Sequence, residues 1–196
     1  MTPIIDRGLW GPKLWGDMRV AVTIRVVLPV LALAFGACSP TFNWRDWPLE
    51  GTPLRATMPC KPESASREVP LGSGPVVLHM ASCETGGTRF ALAWADVGAV
   101  AQVPQALSAW RAASLQSLRV AAQPGDPALV WSVRLPGIPE ATGLRLQGRD
   151  HLGQPVQASQ VYFAKGALVF QAAVYGERPD EEASEAFFGG LRLVQP

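Results

Sequence analysis

The apolar run from Val26 to Ala37 is the feature that most constrains this chain. Arg19 and Arg25 precede it, Gly36-Ala37 end it, and Cys38 follows. A basic stretch, a short apolar stretch and a small-residue end make up a secretory signal. The run is too short to cross a bilayer core, which takes about 20 apolar residues. It therefore divides the chain into a leader over 1–37 and an exported part from Cys38 onward. Met18, followed by Arg19-Val20-Ala21, stands at a suitable distance upstream to be the true start. The stretch 1–17 carries two Trp and two Pro and fits no part of a signal.

Phe35-Gly36-Ala37-Cys38 resembles the lipobox of bacterial lipoproteins, with Phe35 where Leu is usual. The resemblance implies that the Cys38 thiol takes a diacylglycerol, that cleavage falls just before it, and that the protein is held to a membrane by this lipid and its palmitate. Ser39 stands where Asp would mark inner-membrane retention in the enterobacterial rule. The implied destination is the outer membrane, periplasmic face. A plainly cleaved signal and a buried cysteine are the alternatives.

About 160 residues remain from Cys38 onward, the size of one domain with one proper core. They carry 13 basic and 14 acidic side chains. That balance argues against a nucleic-acid partner, which calls for a basic patch. With Cys38 assigned to lipid, Cys60 and Cys83 are left as a pair, and an even remainder in an oxidising compartment reads as a disulfide. Neither belongs to a C-x-x-C motif.

The segment 38–52 reads as a short tether, rich in Pro, aromatic and charged residues. Trp44 and Trp47 are candidates for the membrane interface, where an indole finds both apolar and polar surroundings; docking on the domain's own surface is the competing expectation. The single domain is expected over 53–196. Leu54 to Met58 reads as a strand ended by Pro59-Cys60-Lys61-Pro62. Gly72-Ser73-Gly74 and Thr85-Gly86-Gly87 read as turns of two hairpins. In the last of these strands Phe90, Leu92 and Trp94 share one face. Ala91, Ala93 and Ala95 share the other, leaving room for a helix.

Val103 to Val120 is the clearest helix, with Pro104 in its first turn and Leu107, Trp110, Arg111, Ser114, Leu115 and Leu118 on one stripe. A strand over Leu129 to Arg134 and a three-strand meander follow. Cross-strand neighbours share a face, which sets Leu146 opposite Ala158 and Arg145 opposite Ser159, around a loop His151-Leu152-Gly153. The same test sets Tyr162 opposite Leu168, with Ala164-Lys165-Gly166 as the loop. In that register Leu144, Leu146, Val156, Ala158, Tyr162, Leu168, Phe170 and Val174 all face the core. Asp180-Glu181-Glu182 open a short C-terminal helix that Gly189-Gly190 stop. The fold class is thus α+β: antiparallel β-sheet meanders packed with one long helix and a short C-terminal helix.

Chemistry-bearing motifs are scarce. His79 falls in a strand and His151 in a hairpin loop, neither near a Cys or carboxylate at metal-ligand spacing, so no metal site is expected. No nucleophile elbow or phosphate-binding loop is present. Glu181, Glu182 and Glu185 fit a helix N-terminus. No catalytic residue and no cofactor is expected. The outer face of the meander is the least explained by folding: Arg145, Gln147 and Arg149 lie beside Gln157 and Ser159. Val161, Phe163 and Val169 gather toward the next turn, and that apolar end needs cover from the helix or the N-terminal segment. Failing cover it is a contact surface, which makes Arg145, Arg149, Val161 and Phe163 the candidate interaction residues.

The order of strands, long helix, meander and terminal helix resembles the PsbP-like α+β sandwich, where strand-Pro-x-x-Pro openings also occur. The resemblance implies an accessory or assembly role beside a membrane complex. The expectation is a periplasm-facing envelope lipoprotein with a non-catalytic binding role and an envelope protein as a possible partner. An enzyme with a scattered, hydrolase-like site is the alternative, as is a carrier with an enclosed apolar cavity.

Overall fold

The computed structural model describes residues 41–122, 125–138 and 140–194. The leader and Cys38 lie outside the described residues. Among the described residues ten strands and two α-helices follow one another: β1 (Arg45–Pro48), β2 (Leu54–Met58), β3 (Glu63–Leu71), β4 (Gly74–Thr85), β5 (Thr88–Asp96), α1 (Val103–Ser117), β6 (Val130–Trp131), β7 (Thr142–Arg149), β8 (Pro155–Lys165), β9 (Leu168–Gly176), α2 (Glu181–Gly189) and β10 (Arg192–Leu193). The fold is α+β, with antiparallel sheets, one long helix and a short C-terminal one.

Seven strands form one sheet in the order β3-β4-β5-β9-β8-β7-β6. The two meanders are thus one surface, joined where β5 pairs with β9, with Phe90 opposite Val174 and Trp94 opposite Phe170. The remaining strands form a small sheet, β1-β2-β10. Both faces of the large sheet are covered, so the domain has two cores. On one face Leu71, Leu78, Ala93, Ala95, Leu146 and Tyr162 pack under α1, with its Ala106, Trp110 and Leu115. Ala93 and Ala95 give the helix its close approach, as their small side chains imply. On the other face Phe90, Leu92, Phe163, Phe170 and Val174 pack under Met58 of β2 and Phe187 and Phe188 of α2.

The disulfide ties these layers together: Cys60, just past β2, is bridged to Cys83 of β4, with Cα atoms 5.9 Å apart. At the rim of the small sheet Asp46 of β1 takes Arg55 of β2 and Arg192 of β10. The hydrogen bond from Arg55, with both cations beside it, holds the Asp46 carboxyl below its ordinary range.

The β7–β8 register is as the alternation predicts, with Arg145 opposite Ser159 and Leu146 opposite Ala158. The loop closes through Asp150 N–H to Gln154 O at 2.9 Å, and Gly153 has φ +84°. The β8–β9 register differs by three residues. Tyr162 lies opposite Gln171 and Lys165 opposite Leu168, around the two-residue turn Gly166-Ala167. An odd shift turns a strand over. Leu168, Phe170 and Val174 therefore face the small sheet and α2, not the Tyr162 side. Val161 and Phe163, expected as an interaction surface, are fully buried there, Phe163 stacked on Phe170 at 5.0 Å. Their cover comes from α2, the small sheet and the Leu135–Ile138 turn, so they are core residues.

Three further differences have local causes. β1 lies inside the segment expected as tether, because Trp47 and Leu49 pack into the second core and strand pairing with β2 follows. Helix α1 stops at Ser117 because Arg119 takes φ +53° and closes a Schellman end: Arg119 N–H donates to Gln116 O and Val120 N–H to Leu115 O. The expected strand 129–134 shrinks to Val130–Trp131, after which the chain leaves the sheet edge for a Leu135–Ile138 bridge turning at Gly137.

Under α1 a polar network runs through the first core. The Tyr162 hydroxyl lies 2.7 Å from Ser114 Oγ and donates to Gln160 Oε1 at 2.6 Å. Gln171 Nε2 donates to Tyr162 Oη at 2.8 Å and to Ser114 Oγ at 3.2 Å, and Gln160 Nε2 reaches Tyr175 Oη at 3.0 Å. Burial raises both phenols above their ordinary value. Tyr162→Phe is expected to cost about 1–3 kcal/mol, because Gln160 Oε1 and Gln171 Nε2 lose partners inside the core; urea unfolding checks it. A raised phenol contributes stability that is intact below the unfolded value, about 10, and lost as pH rises past it. The wild-type denaturation midpoint should accordingly fall in alkali, and less so in a Tyr162→Phe protein.

Candidate binding cleft

The outer end of the large sheet, the α2 surface and the segment 128–135 enclose a cleft of about 940 Å³. One wall is the exposed face of β7 and β8, which brings Arg145, Gln147, Gln157 and Ser159 together because alternate residues of a strand share a face. The opposite wall is α2. Asp180 caps this helix, its Oδ1 accepting the Ala183 N–H at 2.8 Å, and this fixes the turn that presents Glu181, Ser184, Glu185 and Phe188. The remaining wall is the edge strand β6 and its continuation, with Leu129, Trp131, Ser132, Val133 and Arg134.

Trp131 is the centre of this arrangement. It pairs with Gly143, and its indole lies flat where a side chain at 143 would stand: a Cβ there would be 2.5 Å from the ring. The Arg145 guanidinium stands 5.0 Å from the ring centroid, within cation–π range, and Phe188 lies 5.8 Å from it. The indole Nε1 is buried and has no partner among the described residues. Among the described residues no carboxylate lies within ion-pair distance of Arg145, whose charge faces the cleft. An aromatic plate, an unpaired guanidinium, two amides, hydroxyls and two carboxylates across the gap can bind a polar ligand that has both donors and acceptors. The volume suits a small or extended ligand.

Of the residues singled out from the sequence, Arg145, Gln147, Gln157 and Ser159 come together in this cleft. Arg149 does not line it; its Nη1 donates to Gly153 O at 2.8 Å, holding the β7–β8 loop. Trp47 packs partly against the second core, whereas Trp44 keeps 36% of its surface exposed. His79 bonds Ser66 Oγ through Nδ1 at 2.8 Å and stacks on Trp94, and His151 sits in the exposed β7–β8 loop. Neither histidine lines the cleft. The sequence reading missed Trp131, Ser184 and Phe188. The signal was Gly143: a glycine inside an alternating strand marks a close approach, here that of an indole.

Comparison with known proteins places no family name on this site. No protein-family model matches the chain, and no curated protein matches it. Among solved structures, a protein from Bacteroides thetaiotaomicron resembles it at a TM-score of 0.39 with 11% identity, over 75% of this chain and 48% of that one. The chain thus spans about half the length of that protein, a likeness too distant to assign an activity.

Proposed function

We propose that the protein is a periplasm-facing outer-membrane lipoprotein whose domain binds an envelope component in the Arg145–Trp131 cleft, without catalysis. The observation that carries the binding role is the unpaired Arg145 guanidinium set against Trp131 in a roomy, mixed-polarity cleft. The lipobox-like Phe35-Gly36-Ala37-Cys38 supports the anchor, and a disulfide between Cys60 and Cys83 agrees with an oxidising compartment. The resemblance in layout to PsbP-like proteins supports an accessory role.

Mass spectrometry of the mature N-terminus should find acylated Cys38, and an intact, unacylated Met1 or Met18 sinks the anchor. A photo-crosslinking residue at Gln147 in the membrane-bound protein should capture an envelope component. The adduct should vanish with Arg145→Ala. That change costs about 1 kcal/mol or less of stability, since only a solvent-facing cation–π contact is lost. An adduct that survives Arg145→Ala, or none at all from an acylated protein, removes the cleft from the proposal.

A further inference from the structure

We infer that the end of the large sheet bearing the β4–β5 turn and the β7–β8 hairpin faces the bilayer, with Leu152 and Trp44 reaching its interface. The inference rests on the proposed acylation of Cys38.

The attachment point carries the first half. Only Ser39 and Pro40 separate Cys38 from Thr41, a span of at most about 11 Å for three residue steps. Thr41 and Phe42 are docked on the β4–β5 turn. Thr85 Oγ1 donates to Thr41 O, and a Cβ at Gly86 would lie 3.1 Å from Thr41 Cγ2 and 3.4 Å from the Phe42 ring. The Phe42 ring meets Phe90 edge-on at 6.4 Å, and Trp44 lies 5.9 Å from Phe42. Asn43 N–H donates to Pro59 O at 2.7 Å. A lipid on Cys38 therefore cannot swing freely around the domain. It holds the β4–β5 turn near the headgroups, with the half-exposed Trp44 beside it.

Strand pairing carries the second half. Glu84, Arg89, Tyr175, Ala158 and Leu146 form one row across β4, β5, β9, β8 and β7. Past that row, on the same side, lie the β4–β5 turn and the β7–β8 loop, about 14 Å apart at roughly 4.8 Å per strand. The β4–β5 ladder ends one residue beyond the row, at Thr85 and Thr88. The β7–β8 ladder ends three beyond it, at Arg149 and Pro155. The β7–β8 hairpin thus projects further in the direction in which the lipid pulls. At its tip Leu152 is 72% exposed, more than any other large apolar side chain among the described residues. One exposed leucine is commonplace; this one stands at the tethered end.

The loop is also built to stay rigid. Asp150 Oδ1 accepts the N–H groups of Leu152 and Gln154, Arg149 holds Gly153 O, and Arg119 Nη2 donates to His151 O at 3.3 Å. Arg119 and Arg149 line one hollow at this end with Glu177, while Arg89 and Glu84 pair with each other. The arginines keep N–H groups free for headgroup phosphates. An apolar tip flanked by cations is the arrangement that enters an anionic interface.

The test uses the full-length, acylated protein in vesicles of phosphatidylethanolamine and phosphatidylglycerol. An environment-sensitive fluorophore is placed at Leu152→Cys, and in a second protein at Lys165→Cys on the opposite end of β8. Fluorescence at 152 should shift to the blue and be quenched by nitroxide-bearing lipid, whereas 165 should behave as in water. If 152 matches 165 in a protein whose Cys38 is shown by mass spectrometry to be acylated, the inference falls and the anchor stands. If Cys38 carries no lipid, both fall. Melting curves of the two labelled proteins confirm that each is folded.

Discussion

Phe170→Ala is expected to destabilise the domain by about 3–5 kcal/mol, the cost of truncating a buried aromatic. The ring is fully buried, stacked on Phe163 and sitting cross-strand from Trp94, in the core under α2 and the small sheet. Neither neighbour can close the gap, because both are fixed by the strand ladder and by other rings around them. Guanidinium unfolding with an unchanged m-value measures it. A cost under about 1 kcal/mol, typical of a surface change, would mean that β9 does not present this residue to the core. The residues exchanged by the three-residue difference in register supply a control. Val169, on the α1 side, should also be costly to truncate, at about 2 kcal/mol for a buried β-branched residue, because both faces are covered.

Removing the Cys60–Cys83 bridge by paired serine substitutions is expected to cost about 3 kcal/mol, from the entropy regained by an unfolded loop of this length. The bridge spans 23 positions and joins the small sheet to the large one. Its loss should therefore loosen β1 and β2 first. Hydrogen exchange should show faster exchange at Ala56 and Met58 than at Leu92. Alkylation of the native protein should find both thiols blocked, and two free thiols would contradict the bridge.

Much of this architecture was legible because it is written in local patterns. The glycine pairs at Gly72 and Gly86-Gly87 mark turns, and the alternation of Phe90, Leu92 and Trp94 with alanines told which face would admit a helix. The β7–β8 register could be solved because β7 is one-sided: Leu144 and Leu146 alternate with Arg145 and Gln147. The same test failed one hairpin later for a physical reason. In β8 and β9 both faces are apolar, Tyr162 beside Val161 and Phe163, so matching faces no longer distinguishes one register from its neighbours. A single core would need only one apolar face per strand. Here α2 and the small sheet cover the second face, and no local pattern in β8 or β9 marks which partner covers which side. The cleft was half legible. Its β7–β8 wall stood out as polarity that folding does not require, whereas Trp131 arrives from a two-residue edge strand with too little pattern to place it.

The small sheet also sets the order in which this protein can assemble. Its middle strand, β2, is flanked by β1 on one side and by β10 on the other, and Asp46 meets Arg192 across a separation of 146 residues. Loop closure over such a distance comes late, since its entropic cost must be met before the contacts give anything back. The β3–β4–β5 hairpins, whose pairs are near in sequence, can form while the chain is still short. The small sheet cannot be finished until Leu191 has buried itself and Arg192 and Leu193 have paired with Arg55 and Leu54. The β1–β2 hairpin, with Arg45 opposite Met58, is local too, so what waits is the other edge of β2. That edge stays open until the last residues of the domain arrive, which makes the C-terminal segment the closing seam of the small sheet.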